Sequence, residues 1–281
     1  MTEMFSSILI IVSPIFIAAI GCLICERAGV RNIALEGLMS IGALAAAVTH
    51  ILLETRIGFS IPLALIFAAL SGGLFSLIHA FASVTIKANQ LISGTGINLF
   101  SAGITVFICQ VVFRMDRTSN FIEGMSPWFF GIYPTFWIAI VIIAASLFMF
   151  YRYPKAFTAS PFIAVLISGF FAGLAGACVV LTQDTQFTIN TISGKGFIAL
   201  AAVYIGRKLP LGVLGVSFLF GISISFAANV FNMKSLDNLS SDILNMLPYL
   251  FSLLALVIFS SKSQLFLPRT KRITTGYRSK G

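Results

Sequence analysis

Charged residues are scarce in this chain of 281 residues, since Asp, Glu, Lys and Arg together make up only 10%. Ordinary soluble domains carry about 25% charged residues, so the polar surface is too small to cover a soluble particle of this size. Hydrophobic residues make up 58% of the chain, and its mean hydropathy is +1.01. The scarcity of charge therefore argues against a soluble enzyme and predicts a protein whose surface lies mostly in lipid.

Residues that perform acid–base or metal chemistry are also few. The two histidines stand apart from one another and from pairs of acids, so no metal site and no catalytic triad is predicted. Cys22 and Cys25 form a C-x-x-C pattern, which is open to a redox or zinc interpretation. The pattern lies inside an apolar run, where a helix face lined with small residues is favoured. We predict no catalytic residue and no cofactor. The histidines and cysteines are His50, His79, Cys22, Cys25, Cys109 and Cys178.

Long apolar runs are abundant, and a membrane-spanning helix needs about 20 apolar residues. A weaker segment, 187–206, starts with polar and β-branched residues and is apolar only over 194–206, which predicts an extended stretch leading into a half-helix. The predicted fold is an all-α membrane protein, a bundle of about nine (eight to ten) transmembrane helices with at least one broken helix. The clear runs are 5–24, 33–53, 60–86, 91–113, 133–151, 160–182, 210–231 and 243–261.

The excess of positive charge, a net +9, lies in the short gaps between apolar runs and in the tail. This placement is typical of topology signals and not of a basic face that binds nucleic acid. With the tail in the cytoplasm, most basic residues fall on the cytoplasmic side and the N-terminus falls outside. The first run has no basic segment before it and no cleavage site after it, so we expect a retained span. The chain would consist of a transmembrane domain, 1–261, and a basic cytoplasmic tail, 262–281.

Polar residues inside apolar runs are costly in lipid and are therefore candidates for function. The first cluster, 26–37, holds Asn32 and Glu36. One interpretation is that Asn32 caps a helix that has Glu36 in its first turns. The other places both side chains on one helix face that lines a polar path, because they are four residues apart.

Two further polar clusters occupy 87–98 and 191–202. In the first, Gly94 and Asn98 share a helix face, and the amide could bind a sugar hydroxyl or a base edge, or form a hydrogen bond between helices. The second contains Lys195 and Phe197 and resembles the start of a half-helix that opens into a cavity. Phe197 could stack on a flat ligand or pack in the interior. Neither cluster has the spacing of a phosphate-binding loop.

The three clusters resemble segments of the permease subunits of bacterial ABC importers for nucleosides and simple sugars. This superfamily also includes the branched-chain amino acid permeases, and the resemblance is strongest to the nucleoside branch. The family segments E-R-x-G-V-x-N-I-x-L-E-G-x-M, A-N-Q-x-x-S-G-x-x-x-N-L and G-x-G-F-I-A-L-A-A-x-x-x-G are matched by residues 26–39, 88–99 and 194–206. The later segment 246–249 is similar to the last span of the family, so the resemblance covers almost the whole chain.

The resemblance implies that the chain is one half of a pore in the bacterial cytoplasmic membrane and is not itself an enzyme. It would pair with a second, longer permease subunit, a cytoplasmic ATPase that hydrolyses ATP, and an external substrate-binding lipoprotein. Nucleosides would cross the bilayer by alternating access. The residues that match the family along this path are Asn32, Glu36, Gly94, Asn98, Lys195 and Phe197.

One departure from the family concerns the middle of the chain. Family members usually have a longer cytoplasmic loop there, with a short helix that docks on the ATPase, whereas this chain has only the segment 151–160. Arg152 and Lys155 are then the candidate residues for contact with the ATPase. The alternatives left open are a simple-sugar permease, a channel or carrier that works without ATP, and a degenerate permease.

Overall fold

The computed structural model describes residues 2–128, 131–153 and 160–231. Eight α-helices occur in this part of the chain and no strand does, and a π-helical turn, Phe81–Thr85, extends the third helix. The helices are α1 (Thr2–Arg27), α2 (Leu35–Leu53), α3 (Ser60–Ala80), α4 (Gln90–Phe113), α5 (Pro134–Arg152), α6 (Pro161–Gln183), α7 (Lys195–Ile205) and α8 (Pro210–Phe231).

Six of these helices, α1 to α6, are long and apolar enough to cross a membrane. The predicted all-helical bundle is therefore confirmed for the described residues, whereas the predicted count of about nine spans is not. As predicted, the segment before Gly194 is non-helical and leads into α7, a short helix of 11 residues. The predicted run 243–261, the segment 246–249 and the tail 262–281 lie outside the described residues.

Local sequence accounts for several of the helix starts. The Asn89 side chain accepts hydrogen bonds from the backbone N–H groups of Leu91 and Ile92, at 2.9 and 3.4 Å, and so caps α4. Pro134 and Pro161 occupy the first turns of α5 and α6, where a missing N–H costs nothing. The cap of α4 belongs to the A-N-Q segment, so part of that motif sets a helix boundary.

Helix α6 lies at the centre of the bundle and packs against α1, α2 and α3. Glycines let these backbones approach closely, which is how membrane helices gain van der Waals contact without a hydrophobic driving force. A Cβ atom on Gly173 would overlap the backbone oxygen of Ala68 in α3, and one on Gly42 in α2 would overlap the backbone of Gly173. The core therefore depends on glycine where three helices meet.

The bundle has two ends, which we name by a residue at each. At the Arg27 end, α1, α5 and α7 finish and α4, α6 and α8 begin; at the Glu54 end, α2 finishes and α3 begins. Basic residues lie at the Arg27 end, at the ends of α1 and α5 and in three of the segments that connect helices. This grouping agrees with the predicted separation of positive charge, and the cytoplasmic position of that end stays a prediction. The basic residues are Arg27, Arg31, Lys87, Arg152, Arg207 and Lys208.

Candidate functional site

The polar clusters meet at the 28–34 segment, which joins α1 to α2 without being helical. Asn32 in this segment reaches Ser168, which lies about two turns, or about 10 Å, into α6. The segment therefore enters the bundle at a depth where water is scarce. Backbone polar groups at that depth need partners within the protein.

Arg31 shows how the backbone of this segment is satisfied. Its N–H donates to the Gln90 side-chain oxygen at 3.0 Å, and its carbonyl oxygen lies 3.2 Å from Nε2 of His79. The other ring nitrogen of His79 lies 3.0 Å from the Ser93 hydroxyl. His79 and Gln90 thus tie the 28–34 segment to α3 and α4, a structural role that sequence reasoning did not assign to either residue.

Asn32 is fully buried, and its amide nitrogen donates to the Ser168 hydroxyl at 2.8 Å. Helix α2 begins only at Leu35, after Ala34, and no side chain caps it. Both interpretations of Asn32 as part of α2, as its cap and as a neighbour of Glu36 on one helix face, are therefore wrong. The chain turns at Gly29, which has a φ of 84°, and carries Asn32 into the core instead.

Asn98 on α4 bridges the two sides of the start of α2. Its amide nitrogen donates to the Ile33 carbonyl at 2.9 Å, and its side-chain oxygen accepts from the N–H of Gly37 at 2.8 Å. Gly94 lies one turn earlier, where an added Cβ would come within 2.8 Å of Cβ of Ile33. Asn98 and Gly94 thus hold α4 tightly against the 28–34 segment and the first turn of α2.

Glu36 reaches from α2 to the start of α7. Its two carboxylate oxygens accept hydrogen bonds from the N–H groups of Gly194 and Gly196, at 2.7 and 2.8 Å. These N–H groups have no partner within the helix, and the helix dipole favours a negative charge there. Gly194 adopts a φ of 82° and cannot supply a capping side chain, so a residue about 160 positions away in sequence caps α7.

Lys195 lies beside this cap, and its ammonium group donates to the carbonyl oxygens of Thr191 and Ile192 at 3.2 and 3.4 Å. Asp184 precedes the same non-helical stretch. Burial raises the pKa of the Asp184 carboxyl above its ordinary value, while the Thr191 hydroxyl and the Lys195 charge lower it. The start of α7 is therefore surrounded by charges of both signs.

The structure brings five of the six predicted path residues together around the 28–34 segment and the start of α7: Asn32, Glu36, Gly94, Asn98 and Lys195. Phe197 differs, because its side chain is 48% exposed whereas Asn32 has no exposure. Phe197 and Asn32 therefore do not line the same surface in this conformation. Of the two predicted coupling residues, Arg152 is exposed at the end of α5, and Lys155 lies outside the described residues.

An ion pair at the Arg27 end was not predicted from the sequence. The buried Glu26 carboxylate accepts from the Lys208 ammonium group at 2.6 Å and from the Tyr204 hydroxyl. Arg27 donates to the Lys208 carbonyl at 3.2 Å and lies over the ring of Phe150. These contacts hold the end of α1 against the turn between α7 and α8. Their partners are far apart in sequence, so spacing alone carried no sign of them.

The Glu54 end is held by His50, which is also buried. Its ring nitrogens lie 3.0 Å from the Ser60 hydroxyl and 2.7 Å from the Glu123 carbonyl oxygen. The Glu54 carboxylate accepts from the N–H of Ile122 at 3.0 Å. In the part of the chain that the structure describes, no group of three or more His, Cys, Asp or Glu residues could hold a metal ion.

The bridging role of Asn98 gives a direct prediction. In Asn98→Asp the side chain can no longer donate to the Ile33 carbonyl, and one buried acceptor is left unpaired. We expect a loss of about 1–3 kcal/mol of stability, measured as a lower unfolding temperature of the purified protein. Asn120→Asp makes the same change at an exposed amide of the loop after α4 and should leave that temperature unchanged. Equal effects of the two substitutions would contradict the bridge.

One protein-family model matches nearly the whole chain. The family model described as branched-chain amino acid transport system, permease component, matches residues 4–158 and 158–260. The two matched stretches meet inside the short 151–160 segment. No solved structure matches the chain.

Several characterised or named proteins are similar along most of their length. A guanosine ABC transporter permease protein of Bacillus subtilis is 34% identical, over 91% of each chain. A nucleoside ABC transporter permease protein of Lactococcus lactis is 30% identical, over 92% of each. A putative glucose ABC transporter permease protein of Haloferax volcanii is 29% identical, over 74% of this chain and 71% of its own.

Proposed function

This chain belongs to the family of permease components of branched-chain amino acid transport systems, and we propose that it translocates nucleosides as the permease subunit of an ABC importer. The observation that carries the substrate class is its 34% identity, over 91% of both chains, to a guanosine ABC transporter permease. ATP would be hydrolysed on a partner subunit, and the substrate would cross by alternating access.

The proposed assembly contains a second permease subunit as a heterodimer partner, a cytoplasmic ATPase and a substrate-binding lipoprotein. It would lie in the bacterial cytoplasmic membrane. The exposed Arg152 and the basic residues near it at the Arg27 end would face the ATPase, with Lys155 completing this surface. The Glu26–Lys208 ion pair supports the proposal, because it would let movement at that end reach α7 through the α7–α8 turn.

The junction at α7 supports a translocation path beside it. Broken helices at membrane depth are tolerated where their backbone lines a cavity or is buried in protein. Glu36 and Asn98 fix the starts of α7 and α2, and Phe197 projects from the first turn of α7 with about half of its surface exposed. We propose that Phe197 stacks on the base, with the charged groups at the start of α7 as the polar wall of the path.

The test is nucleoside uptake in the native host. The gene that encodes this chain is deleted there and replaced by genes for the variants. Stacking of a base on an aromatic ring contributes about 1–3 kcal/mol, so Phe197→Ala should raise the KM of uptake by about tenfold. Phe107→Ala is the matched control, because Phe107 is exposed on α4 at 59%. If Phe197→Ala and Phe107→Ala transport alike, Phe197 does not line the path.

A simple sugar is the second candidate substrate, favoured by the 29% identity to the putative glucose permease. Competition decides between the two, because excess unlabelled glucose should leave nucleoside uptake unchanged if the site selects nucleosides. Coupling to ATP is tested by purifying the tagged chain from its host. The importer proposal expects a co-purified ATPase, and uptake that persists after ATP depletion with ion gradients clamped would instead support a channel or carrier.

A further inference from the structure

A cavity of about 1290 Å³ lies near the Glu54 end, between α3, α5 and α6. Its lining is mostly apolar, and Phe171 and Leu174 of the central helix are part of it. Val141 of α5 lines the cavity and is 67% exposed. The cavity therefore opens sideways, onto helix surfaces that hydropathy places in lipid. The apolar wall residues contributed by α3 and α5 are Ile61, Pro62, Leu65, Ile138, Val141 and Ile142.

Trp137 of α5 forms part of the cavity wall. The indole nitrogen of Trp137 is buried and makes no hydrogen bond within the part of the chain that the structure describes. An indole N–H can only donate, and a buried donor without an acceptor is costly. The nitrogen is itself inaccessible, so Trp137 contributes the apolar surface of its ring to the cavity wall.

The rim of the cavity at the Glu54 end is acidic. Glu54 and Glu123 both line it, and none of the described lining residues is Lys or Arg. Glu54 is largely buried and accepts from the N–H of Ile122, whereas Glu123 is exposed. An occupant with a negative head would be repelled here, and one with an ammonium group would be attracted.

We propose that the cavity is a binding site for a phospholipid with an amine headgroup. One acyl chain would fill the apolar space between α3 and α5 and would lie against the ring of Trp137. The ammonium group would lie beside the Glu123 carboxylate. The sideways opening gives such a lipid access from the bilayer.

The tryptophans of the chain make the site directly measurable, because the sequence contains only two, Trp128 and Trp137, and both line the cavity. The experiment uses the full chain in vesicles of phosphatidylethanolamine, phosphatidylcholine and phosphatidylglycerol, in which one lipid at a time carries brominated acyl chains. Bromine quenches tryptophan fluorescence on contact. Trp128→Phe leaves Trp137 as the single reporter inside the cavity.

We expect brominated phosphatidylethanolamine to quench Trp137 more strongly than the other two brominated lipids at the same mole fraction. Its primary ammonium group can donate hydrogen bonds to the Glu123 carboxylate, whereas the quaternary ammonium group of phosphatidylcholine cannot and phosphatidylglycerol is anionic. Pairing with an exposed carboxylate changes affinity by about two- to fivefold, so Glu123→Gln should remove a preference of that size. Asp116→Asn is the matched control, since Asp116 is exposed on the same loop and does not line the cavity. It should leave the preference intact.

Three results would overturn the proposal. Absence of quenching of Trp137 by every brominated lipid means that lipid does not enter the cavity. Quenching by phosphatidylethanolamine that is no stronger than quenching by phosphatidylcholine means lipid contact without a site for a primary amine. Stronger quenching by brominated phosphatidylglycerol means that the site selects an anionic head. Each result is independent of nucleoside uptake, so it leaves the proposed function untouched.

Discussion

Replacing Glu36 with alanine is expected to abolish transport and to expose the start of α7 to hydrogen exchange. The carboxylate is the acceptor for the N–H groups of Gly194 and Gly196, and each buried donor left unpaired costs about 1–3 kcal/mol. Loss of a negative charge at a helix N-terminus removes a further 0.3–1 kcal/mol or so. Faster amide exchange at residues 194–196, followed by mass spectrometry, measures the effect directly.

Glu36→Gln separates the two contributions, because a side-chain amide keeps one acceptor oxygen and loses the charge. We expect it to fall between wild type and Glu36→Ala in both exchange and uptake. Asp116→Ala, which removes an exposed carboxylate near the Glu54 end, is the control and should behave as wild type. Wild-type amide protection at 194–196 in Glu36→Ala would show that α7 does not depend on this cap.

Gly173→Ala should be among the most damaging single-methyl substitutions in the bundle. The added Cβ would overlap the backbone oxygen of Ala68, and backbone atoms cannot move aside as a flexible side chain can. Overpacking of a tight core costs about 1–3 kcal/mol or more. The expected results are a lower yield of folded protein in the membrane and a lower unfolding temperature after purification.

Gly103→Ala provides the matched control and has the opposite expected sign. Nothing lies within 4 Å of a Cβ added at Gly103, and alanine is favoured over glycine in a helix interior by about 0.5–1 kcal/mol. Gly103→Ala should therefore be neutral or slightly stabilising. If Gly173→Ala matches it in yield and unfolding temperature, the contact between α3 and α6 is not close enough to require glycine.

The lengths of the apolar runs, and the change of composition at Gly194, predicted where the described helices lie. The run 133–151 predicted α5 to within a residue at either end, and the Lys195–Ile205 helix was predicted from the change of composition at Gly194. Composition predicts these helices because a lipid-facing helix must form all its backbone hydrogen bonds internally and must remain apolar over about 20 residues. The motifs of the family likewise located the polar clusters, which meet around the 28–34 segment.

Only the tertiary structure decided what the polar residues contact. Asn32 was expected on α2 but bonds to Ser168, 136 residues later, and Glu36 caps a helix whose start lies about 160 residues away. The cavity near the Glu54 end joins α3 to α5 and α6, which follow α3 only after the whole of α4. Spacing predicts partners within one helix, where three or four residues form a turn. It carries no information on which helices become neighbours, because that choice depends on how glycine-rich faces such as that of α6 fit together.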